Sequence, residues 1–329
     1  ALYQQALSEQ QLVDPSDPLM GEVLLELAGT YHMMGMADSA ETQITRIMAL
    51  LGDGSPTTFR SSPELLQQLT LVLTYSKDWG RLDSVHAGAV RAARALPRKE
   101  GGANPVAVAY ADWAATKRRQ GELEAADSMF MLALELYRSG GEGSAAEGRV
   151  LTEVAALALQ RGQLDRADTT YRNAVRMLEA RLGPDHTLVG AAVSGWAELH
   201  RISGRYDEAV ALYQRALGSY RKRSSNLSYV PVVEWRLAQA LTQAGRTDEA
   251  LAMFERSIAG HEERFPPNYI LTANVRRDYA SALMVAGRGR EAVAPLELAV
   301  PVLARRWGEQ DDRVTSAREL LATARAGLR

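Results

Sequence analysis

Seven glycines, Gly35, Gly80, Gly121, Gly162, Gly204, Gly245 and Gly287, recur along the chain at intervals of 45, 41, 41, 42, 41 and 42 residues, each between two apolar helical stretches. A fixed period of this size marks a stacked-repeat architecture. Each unit is one supersecondary element that buries its apolar face only against its neighbours. The pattern predicts an all-α solenoid of helix pairs, and it makes a binding surface the first functional expectation.

The positions around each glycine repeat as well. Seven residues before it stand Ala28, Leu73, Ala114, Ala155, Ala197, Ala238 and Ala280, and five after it Ala40, Val85, Ala126, Ala167, Ala209, Ala250 and Ala292. Twelve after it come Ile47, Ala92, Ala133, Ala174, Ala216, Ser257 and Ala299. Small residues at fixed offsets let two helices cross closely, because the distance between axes follows the side chains at the contact. Nine after the glycine sit larger residues, Ile44, Phe130, Tyr171, Tyr213, Phe254 and Leu296, suited to fill the space between one pair and the next. The second unit departs from the pattern at Leu73 and Val85, which predicts a wider crossing there. The carboxylates Asp165, Asp207, Glu208, Asp248 and Glu249 fall where second helices begin, at the positive end of the helix dipole. Asp17–Pro18 and Ser62–Pro63 read as caps followed by a first-turn proline.

Three segments carry a family resemblance: Gly183–Pro184–Asp185–His186, Trp196–Ala197–Glu198–Leu199, and the run from Gly204 through Asp207, Ala209, Tyr213 and Ala216 to Leu217. Together they resemble a tetratricopeptide repeat. The spacing and the Gly–Pro–Asp–His connector are similar to the kinesin-light-chain type, whose helices are longer than those of the 34-residue form. The resemblance covers residues 17 to 307 and implies a right-handed superhelical solenoid of antiparallel helix pairs. It divides the chain into residues 1–15, a second helix left from a preceding repeat, residues 16–310 with seven pairs, and residues 311–329, a C-terminal capping helix. The first of these rests on Ala1–Leu7, which nearly duplicates Ala211–Leu217 and points to a longer parent chain. Pro295 and Pro301 fall inside the last predicted second helix, where each removes a backbone donor.

Composition narrows the function. The 38 basic and 40 acidic residues leave no net positive charge to favour nucleic acid. All but Lys77, Lys99, Lys117 and Lys222 of the basic residues are arginines, a bias that fits a GC-rich bacterial genome. There is no cysteine, so disulfides, thiolate metal sites and cysteine nucleophiles are excluded and the compartment is left open. No apolar run is long enough for a membrane span. The histidines His32, His86, His186, His200 and His261 lie in different units without metal-ligand spacing, and His186 reads as part of the connector, capping or packing locally. The cluster Gly140–Gly141–Glu142–Gly143–Ser144 lacks the lysine and preceding strand of a phosphate loop. These readings predict neither cofactor nor metal and no enzyme.

A groove is the expected site. In arrays of this family the first helix of each pair lines the concave surface, and residues 13, 10, 6 and 3 before each turn glycine share one helix face. This face carries Arg118, Arg149, Arg201 and Arg277, the acidic Glu22 and Glu198, and Trp235 with Gln239. Arginine forks suit an acidic or phosphorylated peptide, and Trp235 suits an apolar anchor. The groove asparagines of kinesin light chains are not repeated here. The expected function is a protein-interaction scaffold that holds a peptide or helical segment. The alternative is a regulatory or sensor segment of a larger bacterial signalling protein, such as a serine/threonine kinase, in the cytoplasm or tethered outside it.

Overall fold

The computed structural model describes residues 23–24, 27–29, 31, 37–51, 69–70, 73–74, 78–95, 104–139, 144–222, 229–265 and 268–327. Residues 1–15, Gly35, the Asp17–Pro18 and Ser62–Pro63 caps, Glu22 and His32 lie outside them. The chain divides into two compact units, Ala1–Glu142 and Gly143–Arg329. The first holds α1 (Ala37–Leu51), α2 (Trp79–Arg94), α3 (Pro105–Gln120) and α4 (Leu123–Arg138). The second holds α5 (Ala145–Gln160), α6 (Leu164–Leu182), α7 (Thr187–Ile202), α8 (Tyr206–Arg221), α9 (Val230–Gln243), α10 (Thr247–Arg264), α11 (Ile270–Val285), α12 (Gly289–Trp307) and α13 (Asp312–Ala326). No strand occurs among the described residues. The fold is an all-α repeat solenoid.

Each turn is built by one hydrogen-bonding pattern. Gly121, Gly162, Gly204, Gly245 and Gly287 have φ of 72° to 88°, the left-handed region that other L-residues rarely adopt. The following N–H donates to the carbonyl five residues back, as from Glu122 to Lys117, Arg205 to His200 and Arg288 to Leu283, at 2.8–3.0 Å. This is a Schellman end, and it satisfies carbonyls that the first helix leaves open. The second helix then begins two residues after the glycine, with Asp165, Asp207, Glu208, Asp248 and Glu249 in first turns.

Gly80 does not belong to this set. It is the second residue of α2, one turn-length late. The same five-residue bond runs from Asp78 N–H to the Leu73 carbonyl, 3.1 Å, so in register Asp78 matches the residue that follows each turn glycine. Helix α2 starts one residue after it, as the other second helices do. The offsets fall on Leu82, His86 and Ala89 rather than on Val85 and Ala92. The second unit is thus shifted by three residues, with Leu82 in place of Val85 at the crossing offset, and Leu73, Leu82 and Val85 share one buried cluster.

With this correction every pair follows one packing rule. The residues five after the turn, from Ala40 and Leu82 to Ala292, are buried, and so are those nine after it: Ile44, His86, Phe130, Tyr171, Tyr213, Phe254 and Leu296. Apart from Leu82 the crossing residue is alanine in each pair, and alanine at the crossing with a large residue in the gap leaves little room for change. An added Cβ at Gly195 would come within 2.8 Å of the Tyr171 ring.

A polar clamp repeats with the packing. Trp113 Nε1 donates to Asp83 at 2.9 Å, and Lys117 Nζ bonds the other oxygen of Asp83 at 2.8 Å and Glu122 at 3.0 Å. One clamp later in register, Trp196 Nε1 donates to Asp168 at 2.8 Å, and His200 takes the lysine's place between Asp168 and Glu208. Asp83 and Asp168 both stand six residues after their turns. A tryptophan and a basic residue four apart share one helix face, so a single aspartate from the preceding pair meets both.

His186 and His261 have local packing and capping roles. His186 caps α7, its Nδ1 accepting from Leu188 N–H at 3.1 Å. Ser144, at the end of the glycine cluster, caps α5 by accepting from Glu147 N–H. His261 is buried against Ser257. Pro295 and Pro301 both lie inside α12. Helix α13 is capped by Asp311 and packs Val314 and Ala317 against Ala299 and Leu303. Ala324 joins the larger core, with Leu320 and Leu321 packed against it, and the exposed side carries Arg318 and Arg325, ion-paired with Glu309 and Glu297.

His86 gives this packing a pH dependence. It is buried, bonded to Thr116 Oγ1 at 2.9 Å, and burial pushes its pKa down to about 4; Arg119 and Lys117 add to the effect and Asp83 opposes it. A folded-state pKa below the ordinary value means that the unfolded chain binds more protons, so stability is lost as pH falls through 6.5 toward 4. The loss between pH 7 and 5 is about 2 kcal/mol from this residue. Urea unfolding of His86→Gln, which keeps a hydrogen-bonding group but does not titrate, should show a correspondingly flatter profile over that range. An unchanged slope would place the acid sensitivity elsewhere.

Candidate partner-binding groove

In the unit Gly143–Arg329 the first helices α5, α7, α9, α11 and α13 each touch the next, and no two second helices do so to the same extent. The first-helix side is therefore the tight side of this stack. On α5 the residues at the four groove offsets are Arg149, Thr152, Ala156 and Leu159, and on α11 Asn274, Arg277, Ser281 and Met284; all are partly or fully exposed. On α7 they are Ala191, Ser194, Glu198 and Arg201, again partly or fully exposed. In the other unit, α3 has buried alanines, Ala111 and Ala115, at the two middle offsets, with Arg118 partly buried at its end.

The groove side chains are joined into a network. Arg201 forks onto Glu198 through Nε (2.9 Å) and Nη2 (2.7 Å), and its Nη1 reaches across to Gln243 of α9 at 3.0 Å. Tyr213, from α8, donates to the same Glu198 at 2.7 Å. Burial alone would raise the Glu198 pKa, but the bonds from Arg201 and Tyr213 outweigh it and hold the carboxylate below its ordinary range. The same bonds raise the Arg201 pKa, and burial raises that of Tyr213, with Glu198 adding to it.

The next step of the network corrects the reading of Trp235. Its side chain is buried, 7% exposed, and its Nε1 donates to Asp278 of α11 at 2.9 Å, so it packs between successive first helices and is not an exposed anchor. Gln239 Nε2 donates to the same Asp278 oxygen at 2.8 Å, and Arg277 binds the other oxygen through Nε and Nη2 at 3.0 and 2.8 Å. Arg236 lies over the Trp235 ring at 4.8 Å and donates to Gln239 at 3.2 Å.

The structure therefore brings Glu198 and Arg201 together, and Trp235, Gln239 and Arg277 together, with Arg149 on α5 of the same stack. Sequence reasoning missed the acceptors Asp278 and Gln243, the supporting Tyr213, and Arg236. A signal existed: Trp235 and Asp278 are 43 residues apart and Arg201 and Gln243 are 42 apart, about one repeat. Among the described residues no group of histidine, aspartate and glutamate could hold a metal ion, and no helix is long and apolar enough to cross a membrane.

Comparison with known proteins bears on the fold. Residues 148–222 and 236–268 each match a family model described as tetratricopeptide repeat. No curated protein is similar enough in sequence to serve as a relative. Among solved structures, BtubC (BKLC) from P. vanneervenii is similar at 17% identity and TM-score 0.52, over 74% of this chain and 91% of that one. A candidate kinesin light chain from Podosopora anserina with nearly identical TPR-like repeats gives 18% and 0.50, over 61% and 96%. A Rap protein complexed with Competence and Sporulation Factor gives 14% and 0.55, over 92% and 87%.

Asp278 is the test of the network. Asp278→Ala leaves the buried indole N–H of Trp235 without its acceptor and Arg277 without its carboxylate. An unpaired buried donor costs about 1–3 kcal/mol, and the charged partner adds to it. Chemical denaturation should show a loss of about 2–3 kcal/mol, with Trp235 emission shifted to the red. A loss within experimental error would mean that solvent replaces the aspartate without cost.

Proposed function

We propose that this chain, a tetratricopeptide-repeat array of the kinesin-light-chain type, works as a non-enzymatic protein-interaction module that holds a peptide or helical segment of a partner against α5, α7, α9 and α11. One observation carries the reading. Four consecutive first helices keep a partly exposed face, while the crossings behind it are sealed by alanine and aromatic packing. Such a face offers hydrogen bonding on rigid elements, with the ordering cost already met by the fold.

The network also refines the partner's chemistry. Arg201 and Arg277 have their forks on Glu198 and Asp278, so an acidic segment would have to compete with carboxylates already in place. Recognition by hydrogen bonding to Thr152, Asn274, Ser281 and the edges of the paired groups fits better than capture by bare charge. A regulatory role within a larger signalling protein would use the same face. The Rap protein complexed with Competence and Sporulation Factor supports it only as an example of a similar fold taking a ligand.

Arg201→Ala and Trp235→Ala are poor probes of binding, since both break the internal network. Bulk added to the exposed face is cleaner. A partner captured from the source cells would be titrated against Thr152→Arg and Ser281→Arg in the groove and Ala252→Arg on the exposed side of α10. The groove variants should weaken binding by about tenfold or more, roughly 1.4 kcal/mol, with Ala252→Arg near wild type. Loss confined to Ala252→Arg, or shared equally by all three, would move the site off the first helices.

A further inference from the structure

At the junction between one helix pair and the next, the residue 17 after the turn position meets the residue 11 before the following turn. In the first unit this contact is Arg94 donating to Tyr110 Oη at 2.8 Å. In the second unit two successive junctions place ion pairs there, with the signs exchanged. Arg221 at the end of α8 bonds Glu234 of α9 at 2.7 Å. Arg276 of α11 bonds Glu262 at the end of α10 at 2.6 Å. In both pairs the first-helix member is sunk to 8% exposure, and its second-helix partner is 48% or 49% exposed. One junction earlier the same positions hold Glu179 and Val193, and Glu179 bonds Arg215 of α8 instead.

Repeats that share one packing rule share one ambiguity. The alanine crossings and the aromatic fillers Tyr213 and Phe254 would let α8 seat against α11 almost as it seats against α9. They would equally let α10 of one molecule seat against α9 of another. We propose that the exchanged ion pairs fix the order in which the helix pairs stack, and so bar a second copy of this chain from trading pairs with the first.

Three one-step errors set like charges together. Moving α8 onto α11 puts Arg221 against Arg276. Moving α6 onto α9 puts Glu179 against Glu234, and moving α10 onto α9 puts Glu262 against Glu234. The half-exposed partner can turn toward water, but the sunken Glu234 or Arg276 cannot, so a wrong junction leaves a buried charge unmatched. Discrimination of this kind comes from what the wrong pairing costs rather than from what the right one gains.

The test is refolding of the full chain from urea at high concentration, with the dimer and higher fraction compared before and after by light scattering. Arg221→Glu with Glu234→Arg keeps an attractive native pair but makes both junctions alike, so the one-step errors become attractive too. The oligomer fraction after refolding should rise about tenfold over wild type, equivalent to about 1.4 kcal/mol of lost discrimination. Adding Glu262→Arg and Arg276→Glu again sets like charges together when α8 meets α11 or α10 meets α9, leaving only α6 on α9 unopposed, and should bring the fraction most of the way back to the wild-type level. Should the first variant fail to fold, Glu262→Arg with Arg276→Glu makes the junctions alike in the opposite sense and is read the same way. A like-signed variant that refolds as cleanly as wild type overturns the proposal, as does a fourfold variant that oligomerises as much as the like-signed one.

Discussion

The distance at which the two helices of a pair cross governs the rest of this structure. Alanine and other small side chains at fixed positions bring the backbones close, and a left-handed glycine turn returns the chain at the height that keeps those positions opposed. No polar group fits at such a crossing without a partner, so the polar chemistry is driven outward. It collects at the junctions between pairs, as at Asp83 and Asp168, and on the first-helix face, as at Glu198 and Asp278. The groove is in this sense a product of the crossing.

Much of this was legible in the sequence because each feature returns every 41 or 42 residues. Most of the turn glycines, the buried alanines and the acidic first turns could be read from spacing, and the local role of His186 from the connector it belongs to. The failure at Gly80 has the same root. In the second unit no glycine stands at the position the other turns use, so Gly80, three residues on, captured the register, and the Asp78 to Leu73 hydrogen bond shows the alignment. The site was less legible. A helix face assigned from periodicity says which way Trp235 points, but not that the next first helix stands close enough to cover it. The arginines looked available because their carboxylates lie nearby on the same helix, as with Glu198 and Arg201, or beside them in the chain, as with Arg277 and Asp278. Charge counting along a face cannot separate a paired fork from an open one.

The two clamps show how one slot takes different chemistry without loss of form. Lys117 and His200 occupy equivalent positions between two carboxylates, yet burial lowers the His200 pKa, with Arg205 adding to the effect against the pull of Glu208 and Asp168. Lys117 keeps its charge, its pKa raised by Asp83 and Glu122 against the cost of burial. The same scaffold thus contains one permanently charged link and one that is largely neutral at neutral pH.

The bonds from Arg201 to Gln243 and from Trp235 and Gln239 to Asp278 run from first helix to first helix, along the inner side of the stack. Mechanically, they make that side the inextensible edge of a bent strip. Bending then has to be taken up on the other edge, where second helices are joined by fewer bonds, such as that from Arg215 of α8 to Glu179 of α6. A load along the stack would leave the spacing of α7, α9 and α11 nearly constant while the outer contour changes. The molecule would behave as a spring with one stiff rail.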